Sequence, residues 1–132
     1  AEPLPGGGHL EKWQVGGRRH RTDGPALVEY NNAGVVVREE WLVEGRRHRT
    51  DGPAWVACDA AGVVTYEAWW VEGKPSTPAA VFELFLANKG AKRLSPEALE
   101  FLGRNRTYEQ WGEITDNEIA LAQLLHPATE AD

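Results

Sequence analysis

"GRRHRTDGPA" is written twice, at Gly17–Ala26 and again at Gly45–Ala54, identical at all ten positions. Setting the two copies in register fixes a period of 28 residues, and the surrounding sequence follows it. Trp13, Trp41 and Trp69 fall on that period, as do Val15, Val43 and Val71, and Gly17, Gly45 and Gly73. Ala33-Gly34-Val35-Val36 matches Ala61-Gly62-Val63-Val64. A third unit begins as "WWVEGK" and stops at Pro75, where the other copies continue with Arg-His-Arg. His9–Lys12 reads as the remains of an earlier unit.

Each unit reads as strands separated by turns. Val35–Val43 and Val63–Val71 are rich in β-branched and aromatic residues, with apolar groups on both faces at a period of two. Asn31–Gly34 and Asp59–Gly62 carry hairpin-loop chemistry, with glycine available for positive φ. Gly16-Gly17, Glu44-Gly45 and Glu72-Gly73 supply the opposite turns. Within the decamer, Asp23 and Asp51 are expected to accept hydrogen bonds from amides of the following turn. Pro25 and Pro53 lack an N–H and suit a kink at a strand entry. The expected product is an antiparallel β-meander that gains two main strands per unit.

The pattern "W-x-V-x-G-R-R-H-R-T-D-G-P-A", with its second glycine turn and return to Trp, resembles the MORN-like repeats of bacterial and viral proteins. It is closest to the variant with an HRxDGPA core. The likeness covers residues of about 9–74. It implies a twisted, single-layer β-meander serving as a scaffold or interaction surface, and it implies no particular reaction.

After Lys74 the composition turns helical. Thr77-Pro78 opens one helix that stops at Gly90, with Val81, Phe82, Leu84, Phe85 and Leu86 as a broad apolar face. Ser95-Pro96 opens a second, with Leu99, Phe101 and Leu102 inward. Thr115 and Glu118 form a capping box for a third, ending at His126-Pro127, with Ile119, Leu121, Ala122 and Leu125 inward. Trp111 falls between helices and is expected to pin them. The predicted fold class is α+β: an antiparallel β-meander of 28-residue repeats capped by C-terminal α-helices. The expected division is a flexible arm at 1–8, the β-repeat region at 9–75, and a helical region at 76–132 packed on the sheet. Helices laid over a single-layer sheet would bury its apolar surface and block edge pairing.

Bulk properties narrow the function. A net charge of −6 over 132 residues disfavours nucleic acid and anionic membrane as partners. The first 75 residues hold nine Lys/Arg against eleven Asp/Glu, with the arginines clustered, so a basic patch on an acidic protein is expected. Cys58 is the only cysteine, which excludes an intramolecular disulfide and fits a reducing, cytoplasmic compartment. No apolar run approaches a membrane span. A start without Met reads as processed, trimmed or engineered, and a signal-cleaved start would make the protein an exported one.

His20 and His48 with Asp23 and Asp51 suggest acid–base or metal chemistry at first sight. Their duplication argues otherwise, because a catalytic set is assembled once from different parts of a chain. No catalytic residue, metal ligand or cofactor is expected, and the histidines are assigned to the turns. Arg19 and Arg47, or Arg21 and Arg49, would lie about 10 Å apart, two strand spacings. They form either a ladder for an acidic partner or cross-strand pairs with Glu39, Glu40, Glu44, Glu67 and Glu72. Trp55 and Trp70 replace Leu27 and Leu42 of the preceding unit, and a unit-specific aromatic suits an interface hot spot. The candidate partner surface is Arg19, Arg21, Arg47, Arg49, Trp55 and Trp70. The expected function is a non-catalytic protein-interaction module such as an immunity or antitoxin-like inhibitor, or a phage or secretion-system accessory protein. The alternatives are a self-assembling scaffold, a binder of anionic membrane or nucleic acid through the Arg ladder, and an enzyme using the HRTD motif.

Overall fold

The computed structural model describes residues 2–91 and 93–128. The chain divides into two compact units, Ala1–Pro78 and Ala79–Asp132. The first is built of antiparallel strands and the second of helices, an α+β composition.

Among the described residues the first unit contains twelve short strands: β1 (Glu2–Pro3), β2 (His9–Lys12), β3 (Gln14–Val15), β4 (Arg18–Arg19), β5 (Leu27–Tyr30), β6 (Val36–Glu40), β7 (Leu42–Val43), β8 (Arg46–Arg47), β9 (Trp55–Cys58), β10 (Val64–Ala68), β11 (Trp70–Val71) and β12 (Lys74–Pro75). Six of them form one antiparallel sheet in the order β1-β2-β5-β6-β9-β10. The other six pair as three two-stranded hairpins, β3/β4, β7/β8 and β11/β12. The turns β5–β6 and β9–β10 form as their sequences predict. Asn31 Oδ1 accepts the N–H groups of Ala33 and Val35 (2.9 and 3.0 Å), and Asp59 Oδ1 accepts those of Ala61 and Val63 at the same distances. Gly34 and Gly62 close these loops at φ 80° and 87°, where a Cβ is disfavoured.

Two features differ from expectation. Val35–Val43 and Val63–Val71 are not continuous strands; each breaks at its tryptophan. The Trp41 N–H donates to the Ala54 carbonyl (2.7 Å), while the Trp41 carbonyl accepts the His48 N–H (3.0 Å). Its two backbone groups therefore serve different elements, and the chain leaves the sheet for a hairpin. Trp13 does the same with Ala26 and His20 (2.9 and 3.0 Å). The second difference is the proposed arm. Glu2 and Pro3 pair with Leu10 and His9 as the outermost strand, and Lys12 bridges to Glu2 at 2.9 Å. "PGGG" is the turn that returns the chain, with the Leu4 N–H donating to the Gly8 carbonyl (2.7 Å). Gly8 has no substitute there, since a Cβ would overlap the Tyr30 carbonyl oxygen.

Strand register sorts the sheet into two faces. Leu27, Glu40, Trp55 and Ala68 are side-by-side neighbours on one, and Glu11, Val28, Glu39, Val56 and Glu67 on the other. Leu27, Val28, Val56, Ala26 and Ala54 are buried and make the core of this unit.

The helical unit contains α1 (Pro78–Asn88), α2 (Pro96–Gly103), a 3-10 turn at Tyr108–Glu113, and α3 (Asp116–Leu125). Ser95 caps α2 by accepting the Ala98 N–H (3.1 Å) and donates its hydroxyl to the His126 carbonyl (2.7 Å). Thr115 and Glu118 form the expected capping box on α3. Trp111 is buried against Phe82 and Phe85, with ring centroids 4.8 and 5.6 Å away. Val81, Leu86, Ala98, Leu102, Ile114, Ile119 and Ala122 complete this core. Leu121 and Leu125, expected inward, are exposed, as is Leu124. With Ile119 and Ala122 facing in, the 100° step of a helix carries 121, 124 and 125 outward.

Candidate functional site

The three hairpins are tied into a row by hydrogen bonds that recur at the 28-residue spacing. The Gly45 N–H donates to the Arg19 carbonyl (2.8 Å), and the Gly73 N–H to the Arg47 carbonyl (2.9 Å). The Arg21 N–H donates to the Leu42 carbonyl (3.1 Å) and the Arg49 N–H to the Trp70 carbonyl (3.2 Å). The histidines add a side-chain link. His20 Nδ1 accepts the Glu44 N–H, and His48 Nδ1 accepts the Glu72 N–H, both at 3.0 Å. An imidazole that accepts on Nδ1 carries its proton on Nε2, so both rings are fixed in one tautomer. Among the described residues no three His, Cys, Asp or Glu side chains group as a metal site.

Gln14 pairs with Arg19, Leu42 with Arg47, and Trp70 with Pro75, so these residues share one face of the hairpin row. That face is an open groove of about 690 Å³, whose walls include Arg19, Arg46, Arg47, Trp70, Leu42 and Glu40. Arg47 is its most constrained cation. Its guanidinium lies 4.9 Å from the Trp55 ring centre and 5.1 Å from that of Trp70, within cation–π range of both. Its Nη2 is also 3.5 Å from Glu40 Oε1. Glu40, buried, is held more closely by Arg38 Nη1 at 2.9 Å, and Arg38 in turn binds Glu29 at 3.0 Å. Arg19 and Arg46 have no carboxylate within 4 Å among the described residues. Three arginines therefore line the groove against one carboxylate, Glu40, that is already shared.

Of the six sequence candidates, Arg19, Arg47 and Trp70 line this groove, and Trp55 lies beneath Arg47. Trp55 is half-buried, packed edge-on against Tyr66 (5.3 Å), with its Nε1 buried and unbonded among the described residues. Arg21 and Arg49 are drawn elsewhere. Each salt-bridges the aspartate two residues on, Asp23 at 2.9 Å and Asp51 at 2.7 Å, and donates from Nη1 to the carbonyl of Pro25 or Pro53. Each also lies over a tryptophan, Arg21 on Trp13 (4.1 Å) and Arg49 on Trp41 (3.7 Å). These two arginines brace the turns. The same geometry corrects the aspartates, whose carboxylates take arginine as their main partner rather than amides of the following turn. The Arg21 guanidinium holds the Asp23 carboxyl below the ordinary carboxylate range, chiefly by hydrogen bonding. Among the glutamates weighed as neutralising partners, only Glu40 pairs with a groove arginine.

Arg46 and Gln14 were missed by the sequence reading. Arg46 belongs to the same "RRHR" run, and its place at the groove wall follows from its stem lying along the next hairpin, against Gly73. Cys58, outside the groove, has its thiol pushed up by burial and then by Glu39, Asp59 and Glu67. Among the described residues no helix is long and apolar enough to cross a membrane. No family model, curated protein or solved structure matches this chain.

Proposed function

We propose that the chain is a non-catalytic protein-interaction module, built on MORN-like units of 28 residues, that holds an acidic partner protein in the hairpin groove. The observation that carries this reading is the charge of the groove: Arg19, Arg46 and Arg47 beside Trp70, with Glu40 already committed to Arg38. A planar guanidinium held between aromatic rings is pre-ordered for a carboxylate, which lowers the entropy lost on binding. The HRTD residues, by contrast, spend their polar groups on one another and on neighbouring turns. An immunity-like inhibitor or an accessory protein of a phage or secretion system is the class that fits such a surface.

The test is co-purification from the native source with the wild-type chain and with Arg19→Glu/Arg47→Glu as baits. A stoichiometric acidic protein retained by the first and lost from the second supports the reading. Equal retention by both sinks it.

A further inference from the structure

β10 ends the sheet order, and among the described residues no strand pairs with its outer edge. Its counterpart one unit earlier, β6, pairs with β5 on one side and β9 on the other. Shifted by the 28-residue period, Arg38, Glu39 and Glu40 of β6 become Tyr66, Glu67 and Ala68 of β10. In β6 these three residues meet Ala57, Val56 and Trp55 of the following strand. Both strands carry an extra residue just before this stretch, Val37 in β6 and Thr65 in β10. Such a bulge often closes an edge to pairing, yet β6 pairs with β9 immediately after its own.

The backbone of β10 is oriented to receive a further strand. The Ala54 N–H donates to the Ala68 carbonyl (2.9 Å), so Ala68 turns its backbone groups toward β9. These directions alternate along an antiparallel strand, so the N–H and C=O of Glu67 point outward. Val64, Thr65, Tyr66 and Glu67 are all exposed, whereas their counterparts Val36, Val37, Arg38 and Glu39 are half-buried with a strand on either side. β10 carries no Lys, Arg or Pro, the residues that commonly blunt an edge. Its charge is negative instead. Glu67 and Glu39 flank Val56 on one face, and neither has a cation within 4 Å among the described residues.

We propose that the outer edge of β10 accepts an antiparallel strand from a partner protein, with a Lys or Arg opposite Glu67 and an apolar residue opposite Tyr66. Backbone bonds to Glu67 supply the attachment, and the opposed charges select the sequence. A second copy of the chain fits less well, because pairing β10 with β10 about Glu67 sets two glutamates side by side. No residue of β10 lines the hairpin groove, so this surface is separate from the one that holds the acidic partner.

The probe is an end-capped peptide of the Pro53–Asp59 sequence, which includes the strand that fills this place on β6. It carries Val56→Lys to face Glu67 and Cys58→Ser to prevent oxidation. Titrated into the isotope-labelled full chain, it should shift the amide resonances of residues 66–68 saturably. The same peptide with Val56→Glu should bind about three- to tenfold more weakly, the difference between an opposed and a like-charge pair. Glu67→Lys in the protein should reverse that order. Glu67→Pro removes the outward N–H at an edge position that tolerates proline, and should abolish binding of both peptides. Circular dichroism checks that each variant is folded, and the reversal in Glu67→Lys decides the matter if Glu67→Pro is not. Every variant keeps Arg19, Arg47 and Trp70, so binding in the groove is a separate readout. Unmoved resonances at residues 66–68 overturn the inference, as does an order of affinity that Glu67→Lys leaves unchanged. A wild-type dimer seen by sedimentation without peptide, and lost in Glu67→Pro, would assign the edge to a second copy and equally overturn it.

Discussion

His20 accepts the backbone N–H of Glu44 on Nδ1 at 3.0 Å, and His48 accepts that of Glu72 at the same distance. Both glutamates hold a left-handed backbone at φ 52°, which is costly for a residue with a Cβ. At the corresponding place in the first hairpin stands Gly16, at φ 60°, which adopts that conformation freely. The imidazoles thus anchor the two strained turns. His20→Ala and His48→Ala should each lower stability by about 0.5–1.5 kcal/mol, the net worth of one hydrogen bond. Urea unfolding checks this, and asparagine at either position should recover part of the loss.

Glu40 joins Arg38 and Arg47 while buried beside Leu27 and Trp55. Glu40→Ala leaves both guanidinium groups without it in a half-buried setting. A loss of about 1–3 kcal/mol is expected, the penalty for stranding partly desolvated polar groups. Glu40→Gln, which keeps the shape and one acceptor, should lose less in the same unfolding measurement.

Two carboxyls are held below their ordinary range, Asp23 chiefly by its hydrogen bond from Arg21 and Glu118 chiefly by that from Arg106. A depressed carboxyl stabilises the folded state above its unfolded pKa, and that contribution disappears as pH falls through the folded value. The window lies at and below the ordinary values of 3.8 and 4.5, so near neutrality both contributions are present in full and do not vary with pH. Carboxyl chemical shifts followed against pH should give low midpoints for both. Arg21→Ala should raise that of Asp23 alone, and Arg106→Ala that of Glu118 alone.

The Cys58 thiol is disfavoured as thiolate by burial and by three nearby carboxylates. The thiolate is the reactive form, so alkylation at neutral pH should be slower than for an unperturbed thiol. Glu39→Gln/Glu67→Gln should speed it, measured as the rate of reaction with iodoacetamide in the folded protein.

Local chemistry was legible in the sequence where one residue decides one conformation. Asn31, Asp59, Gly34, Gly62, Ser95 and Thr115 each form a turn or cap within four residues of their own position, as type and spacing imply. The choices between competing partners were not legible. Arg21 had five candidate glutamates on paper, yet Asp23 was nearer along the chain, and a contact two residues away costs little ordering entropy. The break at Trp41 depends on Ala54 and His48, which only the folded sheet brings to its two backbone groups. Leu121 and Leu125 read as core by residue type, although two small buried faces, Ile119 and Ala122, had already set the rotation of α3. The groove itself is a product of stacking: Arg19 and Trp70 are 51 positions apart and meet its walls only because each hairpin bonds the next.

The central claim is that the groove arginines bind an acidic protein and the histidines do no chemistry. Isothermal titration of the co-purified partner into wild type, Arg19→Glu/Arg47→Glu, Trp70→Ala and His20→Gln/His48→Gln decides it, once each variant is shown to be folded. The arginine pair should weaken binding at least about tenfold, roughly 1.4 kcal/mol, and flatten its salt dependence. Trp70→Ala should cost about 2 kcal/mol as an interface hot spot, and the histidine pair should bind as wild type does. An arginine pair that binds normally, together with a histidine pair that abolishes a measurable turnover, would contradict the account.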